Sequence, residues 1–315
     1  MTTSALALSS EPAALVLKRN SRSFALASAL LGNEQRERVA TLYAWCRRAD
    51  DAIDGGAPSE QPRRLAALRS ELDSVYAGRV QGDALLRDLQ RVALECGVPA
   101  AYPRALLDGF EMDVLGVRYR SLSELSGYCY RVAGVVGVML CHVLGVSDAR
   151  APRYAAQLGM AMQLTNICRD VLEDWSLNRL YVPDELLAIS GASSLRSELG
   201  GPLPRAAGRP LAIALEHLLA EAERLYRSAD RGIRFLPPRA RLAVRVARHV
   251  YAEIGVLLRA RGCDVFAGRA VVSAPRKATL VARSLVGTLL ELPSAPTFRA
   301  LPRLDPLRFP DDVLP

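Results

Sequence analysis

Three aspartates, Asp50, Asp51 and Asp54, crowd into one turn at the end of an apolar stretch running from Val39 to Ala49. Aspartate is a poor helix former, so three in one turn ask for a reason. Spacings of four (50 and 54) and three (51 and 54) place the carboxylates on one helix face, within reach of a shared cation. Carboxylates that close repel unless a divalent metal neutralises them. The alternative is a solvated acidic helix end running into Gly55 and Gly56. A second stripe is more regular: Asn166, Asp170 and Asp174 recur at every fourth position, and Gln163 joins them from one turn earlier. All are oxygen donors, the hard ligands that suit Mg2+ (with Mn2+ as a substitute) when a substrate adds phosphate oxygens. A surface salt-bridge face would account for the acids. It leaves unexplained why Asn and Gln fall in register with them.

Arginines flank both stripes. Arg47 sits one turn before Asp50, Arg169 adjoins Asp170, and Arg179 follows shortly after Asp174. Guanidinium groups there would neutralise a departing diphosphate.

Two such stripes act together only if helices bring them face to face, and the sequence predicts helix almost throughout. Apolar residues recur at three- and four-residue spacing, with almost no period-two alternation. The predicted helices cover 22–31, 34–54, 61–77, 82–96, 101–115, 121–145, 150–175, 210–230, 238–261 and 274–291. Glycine and proline separate them; the loop Ser190–Pro210, with four glycines and three prolines, is the candidate internal boundary. The parts on its two sides are unequal and do not repeat one another. The reading is all-α: one domain over residues 1–292, then an extended or disordered tail over 293–315 with six prolines in 23 residues.

The charge of +8 is carried almost wholly by arginine, Lys18 and Lys277 being the two lysines. Aromatics make up 6% of the chain, too few for a base-stacking surface, so nucleic acid is not an expected partner. No stretch reaches the ~18 uninterrupted apolar residues of a membrane helix. Val132–Val146 comes nearest, interrupted by His142 and three glycines. The amino terminus lacks a signal-peptide pattern, and a cytoplasmic protein is expected. Six scattered cysteines without a CxxC read as reduced thiols, and Cys141–His142 as a packed pair rather than a zinc site.

Four segments carry a family resemblance: Ser21–Arg22–Ser23–Phe24, Tyr43 through Arg47 to Asp54, Gly127–Tyr128 through Gly137, and Gln163 through Arg179 and Tyr181 to Pro183. In order and separation they resemble the squalene/phytoene synthase family of class I isoprenoid synthases, from about residue 18 to about residue 285. The wording around Asp170–Trp175 and Arg179–Pro183 is most similar to the phytoene-forming bacterial branch. Two departures are Asn178, where glycine is usual, and Arg131. Tyr251 and Arg269 match a family tyrosine and arginine with a spacing one residue long.

The resemblance implies a helical bundle around a central tunnel, prenyl diphosphate substrates, and head-to-head condensation of two geranylgeranyl diphosphates to phytoene. Mg2+ would be held by Asp50, Asp51, Asp54, Asn166, Asp170 and Asp174. Ser21, Arg22, Phe24, Tyr43, Arg47, Gln163, Arg169, Arg179, Tyr181, Tyr251 and Arg269 would bind substrate, and Tyr128 would orient it or take a proton. One substrate ionises, the other's double bond attacks the allylic cation, and proton loss gives a cyclopropylcarbinyl diphosphate. A second ionisation, rearrangement and proton loss end the sequence. No nicotinamide is expected, in contrast to the squalene-forming branch that uses farnesyl diphosphate; a catalytically silent scaffold relative is the reading from another class. So apolar a substrate and product make peripheral contact with a bilayer an expectation. Small residues two turns or more below the acids, Ser28, Ala40 and Gly159, are expected to leave room for a long prenyl tail.

Overall fold

The structure, a computed structural model, describes residues 11–55, 57–290 and 313–314. Among them every regular element is helical. The α-helices are α1 (Ala13–Asn20), α2 (Arg22–Ser28), α3 (Asn33–Asp54), α4 (Gln61–Tyr76), α5 (Ala84–Glu95), α6 (Ala101–Val114), α7 (Leu122–Cys129), α8 (Val135–Val143), α9 (Ala151–Arg169), α10 (Val171–Ser176), α11 (Asp184–Ser190), α12 (Gly208–Asp230), α13 (Pro238–Ala260) and α14 (Ala274–Leu290). Side-chain caps start several of them. Ser21 accepts the Phe24 N–H at 3.2 Å, Asp83 that of Leu86 at 3.1 Å, and Ser121 that of Glu124 at 3.3 Å.

Four differences from the sequence reading bear on the site. Helices α1 and α11 were not expected; both are shorter than nine residues, too short for a periodic signal to stand out. The helix expected over 121–145 carries a π-turn at Tyr130–Gly134, which divides α7 from α8. The helix expected over 150–175 stops at Arg169, because Asp170 leaves helical geometry (φ −107°, ψ 17°) before α10 begins. Its hydrogen-bond ladder nonetheless runs on: Asp170 N–H donates to Asn166 O at 2.8 Å, and Asp174 N–H to Asp170 O at 2.9 Å. The acidic stripe therefore keeps its face through the break.

The π-turn and α8 lie against α9 at backbone distance. A Cβ on Gly137 would stand 2.2 Å from the Ala155 carbonyl oxygen, and one on Gly159 2.2 Å from that of Ala133. Only glycine allows that approach. On its other side α9 packs on α12, where Thr165 Oγ1 and the Tyr226 hydroxyl meet at 3.1 Å. Helix α3 is anchored by Trp45, fully buried, and by Arg48, which reaches Glu71 on α4 at 3.0 Å and also pairs with Asp83 ahead of α5.

The loop Ser190–Pro210 is packed rather than open. Leu195 is buried, Trp175 Nε1 donates to Gly201 O at 2.7 Å, and Arg196 holds the carbonyls of Leu180 and Val182. One apolar cluster takes residues from both sides of it, Leu65 and Leu258 among them. The proline-rich tail lies outside the described residues except for Val313 and Leu314, which are docked on α9. Val313 is fully buried with its carbonyl accepting from Gln157 at 2.5 Å, and Arg153 donates to the Leu314 carbonyl at 2.6 Å. The cysteines are unpaired, and Cys141 is buried in a second, smaller core with Leu31, Leu144, Ile233 and Leu236. None of the described helices is long and apolar enough to cross a membrane.

Candidate active site

A cavity of about 690 Å³ runs down the bundle between α2, α3, α6, the α7–α8 segment, α9 and α13. Its deep wall is apolar, with Leu31, Leu140, Leu144, Ile233 and Leu236. Its mouth is ionic. From the end of α3 come Arg47, Asp50 and Asp54; from α9 and α10 come Gln163, Asn166, Arg169, Asp170 and Asp174. Tyr128, Arg179, Tyr181, Tyr251 and Arg269 complete the rim, and Ser21, Arg22, Phe24 and Tyr43 stand at the α2–α3 side.

Every site residue expected from the sequence lines this cavity except Asp51. That carboxylate is exposed on the outer side of α3 and pairs with Arg47. Of the three small residues expected deep in the tunnel, Ser28 and Gly159 line it and Ala40 does not. Near the mouth α3 presents Tyr43, Cys46, Arg47, Asp50 and Asp54; deeper down it presents Val39 and Leu42. The cavity turns around the helix, and Ala40 falls behind the wall at 2% exposure. Asn178, where glycine is usual, has φ of +59°, a conformation that asparagine tolerates better than most residues.

Arginines bind the two acidic stripes. Arg47 donates to Asp50 at 3.0 Å, Arg169 to Asp170 at 2.8 Å, and Arg179 to Asp54 at 2.7 Å. Arg269 reaches Glu173 at 2.9 Å and Asp170 at 3.3 Å. The one-residue spacing difference before Arg269 thus leaves it on the second stripe. Even so, burial and neighbouring acids hold two carboxyls far above their usual range. Burial first, then Asp54, push Asp50 up to about 7 against the pull of Arg47. Burial first, then Asp170, push Asp174 up to about 8 against Arg179. Both acids are half-buried beside another carboxylate, and added positive charge would favour their ionised forms.

The donor set fits Mg2+. Asn166 Oδ1 is buried with no hydrogen-bond partner, although its amide nitrogen reaches Gln163 at 3.4 Å. An orphaned buried oxygen beside two carboxylates is a costly arrangement unless something comes to meet it. Among the described residues no three His, Cys, Asp or Glu side chains already form a closed cage. Mg2+ does not need one, since it takes one or two carboxylates and fills its shell with water and substrate phosphate.

Aromatic rings gather on two sides of the cavity. Phe24 lies 5.1 Å from Tyr251 and 6.2 Å from Tyr43, ring centre to ring centre. Opposite, Tyr128 stacks on Tyr181 at 5.1 Å, with Tyr119 behind both. The hydroxyls of Tyr128 and Tyr181 converge on Asp113 at the end of α6, donating to its two oxygens at 2.9 and 2.8 Å. Asp113 and Lys277 both line the cavity, and neither was singled out from the sequence. Each is one charged residue among several on its helix, with no regular repeat to mark it.

A helical bundle with an apolar shaft, crowned by two acidic helices, defines an isoprenoid synthase of the all-helical class. The chain belongs to the squalene/phytoene synthase family, whose model it matches over residues 17–276. It is 39% identical over 255 residues to a phytoene synthase of Pseudescherichia vulneris, covering 78% of this chain and 81% of that one. A 15-cis-phytoene synthase of a Paracoccus species is 37% identical over 272 residues, covering 84% of this chain and 87% of that one. Among solved structures, a dehydrosqualene synthase in complex with ligand superposes with a TM-score of 0.79 at 30% identity, over 88% of this chain and 95% of that one.

Proposed function

We propose that the protein is a 15-cis-phytoene synthase, a prenyltransferase that condenses two geranylgeranyl diphosphates head to head and releases diphosphate. The observation that carries the reading is that acids from α3 and from α9–α10 open into the same cavity, whose remaining depth is apolar. Such a cavity takes an anion at its mouth and a hydrocarbon in its shaft. The similarity to curated phytoene synthases selects the C20 substrate from the family's range.

Asp50, Asp54, Asn166, Asp170 and Asp174 would hold Mg2+, which supplies the Lewis-acid pull on the leaving diphosphate. Arg47, Arg169, Arg179 and Arg269 now hold carboxylates. With metal on those acids, the same guanidiniums would be available to phosphate oxygens, with which arginine forms bidentate contacts. The apolar wall keeps water from the allylic cation, and Phe24, Tyr43 and Tyr251 offer it aromatic faces. Contact with a bilayer would deliver so apolar a substrate.

Incubation with geranylgeranyl diphosphate and Mg2+, with farnesyl diphosphate in parallel and each with and without NADPH, tests the assignment. Phytoene formed without NADPH is the expected result. A cyclopropyl intermediate that waits for NADPH would give the squalene-type reading instead, and no product from either substrate would refute both.

A further inference from the structure

The two-tyrosine cluster has a feature that packing alone does not require. A phenol carries one proton, and both phenols converge on the same carboxylate: Tyr181 donates to Asp113 Oδ1, and Tyr128 stands within donating distance of both Asp113 Oδ2 and the Tyr181 oxygen, so Asp113 is the end of either path. The two hydroxyls are themselves hydrogen-bonded at 3.2 Å, and both residues line the cavity, so a proton received from it has a continuous path to Asp113. Asp113 also stands between the acidic stripes, close enough to be felt by Asp50, Asp54 and Asp174, yet both of its oxygens are already engaged. Around it stand Tyr119, Tyr128, Tyr181, Arg179 and Asp54.

We propose that Asp113 is the terminal proton acceptor of the condensation, acting as a positioning residue through the paired hydroxyls of Tyr128 and Tyr181. The proposal rests on the phytoene synthase reading above. In the step, a C–H bond next to the cationic carbon breaks and its electron pair closes the new carbon–carbon bond. The proton goes to a tyrosine oxygen, while that tyrosine's own proton passes along its hydrogen bond to Asp113. A cation and a carboxylate become a neutral product centre and a carboxylic acid; no phenoxide forms. This matters because burial, followed by Asp113 itself, holds the Tyr128 hydroxyl well above its ordinary value. Of the three groups in the cluster the carboxylate is the one able to keep the proton, since a carboxylic acid is its ordinary neutral form whereas a phenol would have to become a phenoxide or stay protonated twice.

Asp113→Asn keeps the shape and removes the acceptor. The expected result is a kcat about 10²-fold lower, the size of a lost general base, with KM and the Mg2+ titration midpoint within threefold of wild type. Asp113→Glu should recover part of the rate. Tyr128→Phe/Tyr181→Phe, which leaves the carboxylate but cuts the path to it, should lose as much as Asp113→Asn, and the triple variant no more than either. A merely structural role would lower the melting temperature and leave kcat in place. If Asp113→Asn fails to fold, the double phenylalanine variant decides, since near-wild-type kcat there overturns the relay. So does kcat within threefold in a folded Asp113→Asn, or a triple variant whose losses multiply. Wild type in the same assay separates the two ideas: without product the functional reading fails, whereas an active wild type beside an equally active Asp113→Asn removes the relay alone.

Discussion

Ser28 offers a direct measure of how far the prenyl tail reaches. It ends α2, about 10 Å below Ser21 at 1.5 Å per helical residue. Its side chain lines the cavity, and its hydroxyl does no more than donate to Ala25 O on the same turn at 3.1 Å. Ser28→Phe therefore fills shaft rather than core. If the ring displaces one isoprene unit into water, five carbons at about 0.8 kcal/mol each amount to about 4 kcal/mol. That is close to three orders of magnitude in relative affinity, and half a unit displaced still gives more than tenfold. The C15 substrate, shorter by that unit, should be nearly unaffected. Competition between geranylgeranyl and farnesyl diphosphates at equal concentration, read by product chain length, gives the ratio directly. Gly159→Ala is the contrast: its Cβ would meet the Ala133 carbonyl at 2.2 Å, so it should cost about 1–3 kcal/mol of stability by overpacking with the ratio kept. A folded Ser28→Phe protein whose C20/C15 ratio stays within twofold of wild type would refute the tunnel argument.

Chelation by EDTA should abolish turnover and Mg2+ should restore it; Asp54→Asn and Asp170→Asn should each lower kcat by about two orders of magnitude, read at saturating substrate and metal. Arg47→Ala should weaken substrate binding at least tenfold by KM, while the exposed Arg63, beyond the glycine turn, should tolerate alanine within twofold; Arg64 is unsuitable as the control, because it holds the Ala52 carbonyl at the end of α3. Acid should loosen the α13–α14 contact, where His249 meets Ser284 at 2.8 Å and burial, then Arg248, lower the imidazole to about 4. The unfolded chain then binds the extra proton between pH 6.5 and 4, so stability is full above 6.5 and falls as pH drops through that window. Melting temperature should follow, less steeply in His249→Gln; parallel curves for the two proteins would remove His249 as the cause.

What the sequence disclosed of this site was what repeats. Asp50 and Asp54, or Asn166, Asp170 and Asp174, are legible because a helix face returns every three or four residues, and both sets do line one cavity. The same rule misplaced Ala40, since counting along a face assumes that the cavity stays on one side of the helix. Here the wall passes from Tyr43 to Val39 and Leu42 within a turn. Periodicity also cannot register a local break that preserves the ladder, so Asp170 read as mid-helix although it ends α9. Asp113 shows the deeper limit. Nothing about a single aspartate near the end of α6 sets it apart until Tyr128 and Tyr181, 15 and 68 residues further along the chain, close on its two oxygens. A repeat announces a surface shared with a ligand many atoms wide, such as a diphosphate with its metals. A group that manages one proton needs one position, and that position takes its meaning from tertiary contacts alone.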